Sequence, residues 1–444
     1  MGIEICGVGG YNQVGKNMTA INVDGEVVLL DMGLYLEEYI KHQEKTNDEK
    51  LSTLQLMDVG ALPNISKIKD WHKQVKAIIP SHAHLDHIGA IPFLGNGFNA
   101  PIIGTPFTIE VLKLILQKDE LKINNPLKVL KSGKRIKISK NITVEFIHVT
   151  HSTPQTVMIA IHTKYGVILY TNDFKFDNHP TIGNKPDYNR LKELGKKGIL
   201  ALIADSTNAP EEGHTSSELD ARNMLEETML NITDKKKAVL VTTFSSHISR
   251  LKSIVEFGRK MKRRPIFIGR SLNRYSEAAK NAGLIDFSKK VEIVKYSSRI
   301  KQKFKKINRQ IGNYLLVATG HQGEVNATLS KMVDENLGYS FKSGDIVIFS
   351  CDIIPTPTSI ENRKILEEKL NYLGVKIFKE LHASGHASKE DIKDLIKMVK
   401  PKHIIPSHGD LRMRSALADF ASKMGYTLGK NIHFVSNGGR LKIT

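Results

Sequence analysis

Three imidazoles and a carboxylate fall within six residues in the run Ser81-His82-Ala83-His84-Leu85-Asp86-His87, directly after the apolar segment Ala77-Ile78-Ile79-Pro80. Neutral imidazole nitrogen and carboxylate oxygen are ligands for zinc and similar cations. A turn leaving a strand can send alternate side chains to opposite sides of one pocket. That suits two adjacent metals, with His82 and His84 facing one and Asp86 and His87 the other. With 17 His in 444 residues, an ordered HxHxDH cluster is an improbable product of a merely solvated polar turn.

Two metals need more ligands than one loop holds, and other apolar strands end in suitable groups. The segment 144–150 runs into His151, and 166–170 into Thr171-Asn172-Asp173. His403-Ile404-Ile405-Pro406 runs into Ser407-His408, repeating the Ile-Ile-Pro-Ser-His lead-in of 78–82. Strand ends of like chemistry, far apart in sequence, can converge on one pocket. His148 and His162 fall inside strand patterns, where a satisfied sheet histidine is the simpler reading.

The elements that must position these residues change character along the chain. Up to about 208 the pattern is mostly short strands, at 3–8, 26–31, 76–80, 142–148, 156–163, 166–171 and 199–204, with a helix over 106–118. The charge-rich stretch 37–52 reads as a mobile loop or short surface helix without a chemical role. From 209 helices and strands alternate. A helix capped by Ser216 or Ser217 is followed by strand 237–242, helix 247–262, strand 265–268, helix 271–282 and strands 314–318 and 345–349, the signature of a parallel sheet flanked by helices. After 373 come strand 374–378, helix 388–399, strand 402–405, helix 410–424 and a closing strand pair near 431–443. Asp173 and His408 are separated by more than 230 residues. If both line one pocket, a whole domain is inserted between them. The expected fold is therefore an α/β protein in which an αββα sandwich (1–208 and 373–444) is split by an inserted α/β domain (209–372), with the active site in the cleft between them.

Composition narrows the partners. A chain of 444 residues exceeds one ordinary core, and its 40% hydrophobic and 25% charged content describes a globular protein without an apolar run long enough to span a bilayer. The start, Met1-Gly2-Ile3-Glu4-Ile5-Cys6, reads as a strand and lacks a basic-then-apolar signal pattern. The two cysteines, Cys6 and Cys351, read as small core residues, and the protein as cytoplasmic. A net charge of +19 favours polyanions. Its densest clusters, 258–264 and 299–306, show no clear amphipathic helix with a broad apolar face, so nucleic acid is a better partner than a membrane.

The pattern HxHxDH, then His, Asp and a late His, resembles the metallo-β-lactamase superfamily, in particular its β-CASP branch of nucleases. Within that branch the chain is similar to the ribonuclease J family, in its shorter, archaeal-type form. The phrases carrying the closer likeness are Gly15-Lys16-Asn17-Met18, Asp173-Phe174-Lys175-Phe176-Asp177, Asp205-Ser206-Thr207-Asn208, Thr319-Gly320-His321-Gln322-Gly323-Glu324 and His382-Ala383-Ser384-Gly385-His386-Ala387. The resemblance implies that His82, His84 and His151 hold one metal, that Asp86, His87 and His408 hold the other, and that Asp173 bridges both. It implies that Asp31 steadies the ligand loop, that Asp86, His386 and Asp205 are catalytic with His386 serving the leaving 3′-oxygen, and that the subunits form a homodimer.

Two cations about 3.5–4 Å apart can share a water and lower its pKa toward neutrality, giving a bridging hydroxide suited to in-line attack on a phosphodiester. The His and Asp donor set fits two divalent ions, Zn²⁺ foremost, with Mn²⁺ allowed. The loop His382, Ser384, Gly385 and His386, and Ser246 before another helix, offer hydroxyl, backbone N–H and imidazole groups to a phosphate. In the family these groups hold the 5′-monophosphate of single-stranded RNA, so a 5′→3′ exoribonuclease, with possible endonuclease activity, is expected. The alternatives are an RNA endonuclease of the 3′-end-processing β-CASP type and a small-molecule metallo-hydrolase. An inserted basic domain disfavours the second.

Overall fold

The computed structural model describes residues 2–45, 52–118 and 121–443. They divide into two compact units. The first comprises the chain up to Tyr39, the stretch ending at Thr215, and Gly385 onward; the second is Ser216–Ser384 with the end of the helix Leu36–Lys45.

In the first unit two sheets face one another. One has the order Arg440–Lys442, Ile3–Gly9, Met18–Val23, Glu26–Leu30, Val75–Ile79, Ile102–Gly104, Leu127–Val129. The other has the order Pro401–Ser407, Ile199–Asp205, Gly166–Tyr170, Val157–Thr163, Thr143–His148, Arg135–Lys137. Their inner faces share one core, with Ile5, Ile21, Val28 and Ile79 from the first sheet and Phe146, Ile159, Ile168, Ile203 and Ile405 from the second. The outer face of the second sheet is covered by Leu191 and Leu194, Ile392 and Leu395, and Leu417 and Phe420, from three helices. Ile199–Asp205 lies between parallel neighbours and is buried on both faces, which its unbroken apolar run Ile-Leu-Ala-Leu-Ile-Ala requires. The strands Glu26–Leu30 and Val75–Ile79 are parallel, as are Gly166–Tyr170, Ile199–Asp205 and Pro401–Ser407. Loops leaving the carboxyl ends of such strands are where α/β folds place their ligands, and of the seven ligand candidates all but His151, which follows the antiparallel strand Thr143–His148, leave one of these ends.

The second unit is a parallel six-stranded sheet in the order Glu292–Val294, Arg264–Ile268, Tyr314–Ala318, Val239–Thr242, Ile346–Phe349, Lys376–Phe378. Ser217 caps its first helix, Glu218–Leu230, through a capping box with Asp220. The unit boundaries lie at 215/216 and 384/385 rather than at 208/209 and 372/373, because Lys376–Phe378 pairs with Ile346–Phe349 of this sheet.

Two further expectations need correction, and one alternative is met. The closing strand pair is a single strand, Arg440–Lys442, and Ile432 contributes only isolated bridges, to Ile404 and Leu428. Of the two readings offered for 37–52, the short helix is the one found, as Leu36–Lys45, while 46–51 lie outside the described residues. The basic cluster 299–306 lies on the helix Ser297–Ile307, whereas 258–264 runs from the end of the helix Ile248–Lys260 through a turn into the strand Arg264–Ile268, and the apolar faces of both helices are spent on the unit's own core. No helix among the described residues is long and apolar enough to cross a membrane.

Candidate metal centre

All seven ligand candidates converge in the first unit. His82, His84, His151 and Asp173 form one group, and Asp86, His87, Asp173 and His408 another. In each, one donor atom per residue lies within 4.8 Å of the rest, and Asp173 belongs to both. A third grouping adds Asp205 and His386 to Asp173 and His408.

Hydrogen bonds behind the rings decide which nitrogens face the cluster. His151 Nδ1–H donates to Gly385 O at 2.7 Å, leaving Nε2 as a lone pair. Ser81 Oγ donates to Asp31 at 3.0 Å, so it accepts from His82 Nδ1–H, also at 3.0 Å, and His82 Nε2 is likewise a lone pair. Both lone pairs point at His84 Nδ1, at 3.0 and 3.1 Å, where one proton at most can serve them. Burial pulls the His82 and His151 imidazoles well below their usual pKa and His84 to about 4, so all three rings are neutral and able to ligate at neutral pH. Asp173 Oδ2 stands 3.6 Å from both His82 Nε2 and His151 Nε2 and 3.2 Å from His87 Nε2. Its Oδ1 is buried and accepts no hydrogen bond. Burial alone would raise the Asp173 carboxyl, yet His408 and His87 hold it well below the usual carboxylate range. A buried set of lone pairs with too few protons and an unsatisfied carboxylate oxygen is costly unless a cation satisfies it. These residues fit a divalent metal.

Asp31 organises the second group. Its carboxylate accepts from Ser81 N–H (2.7 Å), Ser81 Oγ–H (3.0 Å), His87 Nδ1–H (2.8 Å) and Tyr170 O–H (2.8 Å), which turns His87 Nε2 toward Asp173 and Asp86. Asn17 Nδ2 lies 3.0 Å from His87 Nε2 and 3.3 Å from Asp86 Oδ2. His408 Nε2 lies 3.2 Å from Asp173 Oδ1. Asp31, Asn172 and His408 all have left-handed φ angles, of 58°, 48° and 51°. Such strain, roughly 1–2 kcal/mol per non-glycine residue, persists only where the surroundings over-determine the backbone. Here Asp31 N–H donates to Ile79 O and His408 N–H to Gly10 O. Close packing also dictates two glycines: a Cβ on Gly33 would stand 1.6 Å from Asp86 O, and one on Gly385 2.7 Å from the His151 ring.

His386 Nδ1 bonds Asp205 Oδ2 at 2.8 Å, and its Nε2 lies 3.9 Å from Asp173 Oδ2. Burial pulls this imidazole down, but Asp205 and Asp173 outweigh it and lift the ring to about 9. Asp205 is itself held by Thr207 through its N–H (2.9 Å) and hydroxyl (2.7 Å). A protonated imidazole beside a buried carboxylate cluster can give a proton to a departing oxygen.

Ser246, His382 and Ser384 belong to the second unit, whereas Gly385 and His386 belong to the first. Gly385 contributes its carbonyl to His151, a use that the expected phosphate-binding role did not include. Ser246 is buried at the start of the helix Ile248–Lys260. His382 stands 3.5 Å from both Asp352 Oδ2 and the guanidinium of Arg250. Arg250, fully buried, donates twice to Glu218 at 2.8 Å and also to Ser350 O and Leu381 O. It ties the Ser246 helix to the His382 loop. Sequence reasoning missed Arg250, Tyr170 and Asn17. Nothing in spacing marks the first two, while Asn17 sits in the quoted Gly-Lys-Asn-Met phrase.

Three family profiles match the chain: the metallo-beta-lactamase superfamily over 12–229, the ribonuclease J beta-CASP domain over 236–367, and a Zn-dependent metallo-hydrolase RNA specificity domain over 375–433. The chain is 46% identical to a ribonuclease J of Methanocaldococcus jannaschii, over 99% of this chain and 98% of that one. It is 42% identical to a ribonuclease J of Pyrococcus abyssi, over 99% and 97%. A ribonuclease J of Sinorhizobium meliloti is 32% identical over 82% of this chain and 63% of its own length. The crystal structure of a protein of unknown function from Enterococcus faecalis V583 shares the fold, with a TM-score of 0.64 at 15% identity and full coverage of both chains.

Proposed function

This chain belongs to the ribonuclease J family, and from that membership and the converging donors we propose that it is a metal-dependent 5′→3′ exoribonuclease preferring 5′-monophosphorylated, single-stranded RNA. The observation that carries this reading is Asp173, a buried carboxylate shared by two ligand groups, with His386 and Asp205 beside it. His82, His84 and His151 would hold one divalent cation, Asp86, His87 and His408 the other, and Asp173 both, with Zn²⁺ the first choice and Mn²⁺ the second. When bound, the cations supply an activated water and neutralise charge on the scissile phosphate.

The chain's own residues do the rest. Asp31 and the Gly385 carbonyl fix the ring orientations of His87 and His151, so that their Nε2 atoms face the cluster without rearrangement. His386, kept protonated by Asp205, gives its Nε2 proton to the leaving 3′-oxygen. Ser246, His382 and Ser384 receive the terminal phosphate.

A time course on RNA bearing 5′-monophosphate, 5′-triphosphate or 5′-hydroxyl tests this. Mononucleotide release from a 5′ label, fastest with the monophosphate, is expected. A 5′-hydroxyl would leave the cradle's donors unpaired, at about 1–3 kcal/mol, so Ser384→Ala should narrow the difference between monophosphate and hydroxyl substrates. Degradation of circular RNA as fast as the linear monophosphate would replace this reading with the endonuclease one.

A further inference from the structure

The two basic clusters of the second unit are not equivalent. In the first, Arg263 is buried and spends its guanidinium on the carbonyls of Lys237, Asp234 and Tyr314. Lys260 is paired with Glu226 at 2.6 Å and lies near Glu256 at 3.6 Å. Two of that cluster's five cations therefore serve the unit's own structure.

The second cluster is free of such duty. Between 289 and 309 stand nine cations against one carboxylate, Glu292, which is taken by Lys303. Of the remaining eight, none has a carboxylate partner among the described residues. The helix Ser297–Ile307 buries Ile300, Phe304 and Ile307, and this narrow stripe leaves Arg299, Lys301, Lys305 and Lys306 in solvent around the rest of the cylinder. The helix follows Glu292–Val294, an edge strand of the sheet, and the link carries Lys295 and Tyr296, the latter 62% exposed. Like charges at this density repel one another, and among the described residues only Glu292 offsets them. A polyanion would offset the rest. An exposed aromatic among unpaired cations is the combination that binds single-stranded nucleic acid, with phosphates on the cations and a base on the ring. A membrane would need an apolar face, and this helix has already buried its own.

We propose that the 289–309 face of the second unit is a binding surface for single-stranded RNA, made of residues none of which belongs to the metal cluster. The proposal rests on the ribonuclease reading for its choice of polyanion. Its role is to retain the RNA chain between cleavage events.

The test is affinity for a long single-stranded RNA, measured over a range of salt concentrations, for the wild type, the fourfold variant Arg299→Gln/Lys301→Gln/Lys305→Gln/Lys306→Gln, and Tyr296→Ala. With about 0.7 counterions released per phosphate contact, the fourfold variant should flatten the log–log salt slope by roughly three units. It should also raise KM for long RNA while leaving kcat and the thermal midpoint unchanged. Tyr296→Ala should weaken binding roughly tenfold, and Tyr296→Phe should restore it, since the ring rather than the hydroxyl stacks. An unchanged slope in a folded fourfold variant overturns the proposal. So does retained RNA affinity with loss of binding to phosphatidylglycerol vesicles, which would make this a membrane face. A wild type that binds RNA with a steep salt slope but never cleaves it would sink the ribonuclease reading and leave this surface standing.

Discussion

Replacing Asp31 by Asn isolates a residue that is no proposed ligand itself but orients one, His87. Asn tolerates the left-handed φ of 58° at this position, so the backbone is kept. Only the acceptor capacity changes. Asp31 accepts four hydrogen bonds, three of them on Oδ2 from Ser81 Oγ, His87 Nδ1 and Tyr170 O–H. With its amide oxygen on Ser81 N–H, an Asn would turn its NH₂ toward those three groups. The hydroxyls can rotate to accept, but His87 Nδ1–H cannot. It must stay unpaired or move its proton to Nε2, the nitrogen facing Asp173. One or two orphaned buried donors at about 1–3 kcal/mol each predict a stability loss of about 1–6 kcal/mol. Loss of a hydrogen bond behind a ligand typically costs 10–100-fold in metal affinity. Urea denaturation and metal content after dialysis against graded chelator read the two effects separately. An Asp31→Asn protein with wild-type metal content and an unchanged urea midpoint would refute the reasoning.

Three other outcomes follow from particular contacts. Gly385→Ala, whose Cβ would stand 2.7 Å from the His151 ring, should displace that ring and deplete metal while far-UV circular dichroism stays native. His386→Ala should keep its metals and its RNA affinity but lose roughly 10²–10⁴-fold in turnover, the usual worth of a positioned acid, and metal analysis against kcat separates it from ligand loss. Glu145 is pushed up by burial but held at about 2 by its bonds to His162 and Arg190. Because the folded state then binds fewer protons than the unfolded one, its contribution to stability is full above a pH of about 4.5 and is lost as pH falls through about 2. The melting-temperature gap between wild type and Glu145→Gln should shrink over that window, and a gap independent of pH would contradict the assignment.

Much of the candidate site could be read from the sequence because candidate metal ligands leave a dense, ordered signature. The HxHxDH loop is local, and His151, Asp173 and His408 each follow a recognisable apolar strand. The groups that orient them are another matter. Tyr170 reads as one more strand aromatic, and Gly385 as a turn residue, until the fold brings Gly385 O to His151 and Tyr170 to Asp31. Arg250 looks like a surface cation on an amphipathic helix and is in fact fully buried against Glu218. The fold was legible where elements are long and apolar. The three-residue edge strands Leu127–Val129, Arg135–Lys137 and Glu292–Val294 are too short to show a period. In Ser297–Ile307 the lysines hid a stripe of only three buried apolar residues.

The central claim is that Asp173 is shared by two metals on which RNA hydrolysis depends, and metal stoichiometry measured beside RNA cleavage tests it most directly. Wild-type protein should carry two divalent ions per chain, lose activity on chelation and regain it with Zn²⁺ or Mn²⁺. Asp173→Ala should lose most of both ions and essentially all turnover. A chelated, metal-free wild type that still cleaves RNA, or an Asp173→Ala protein that keeps both ions, would contradict the account.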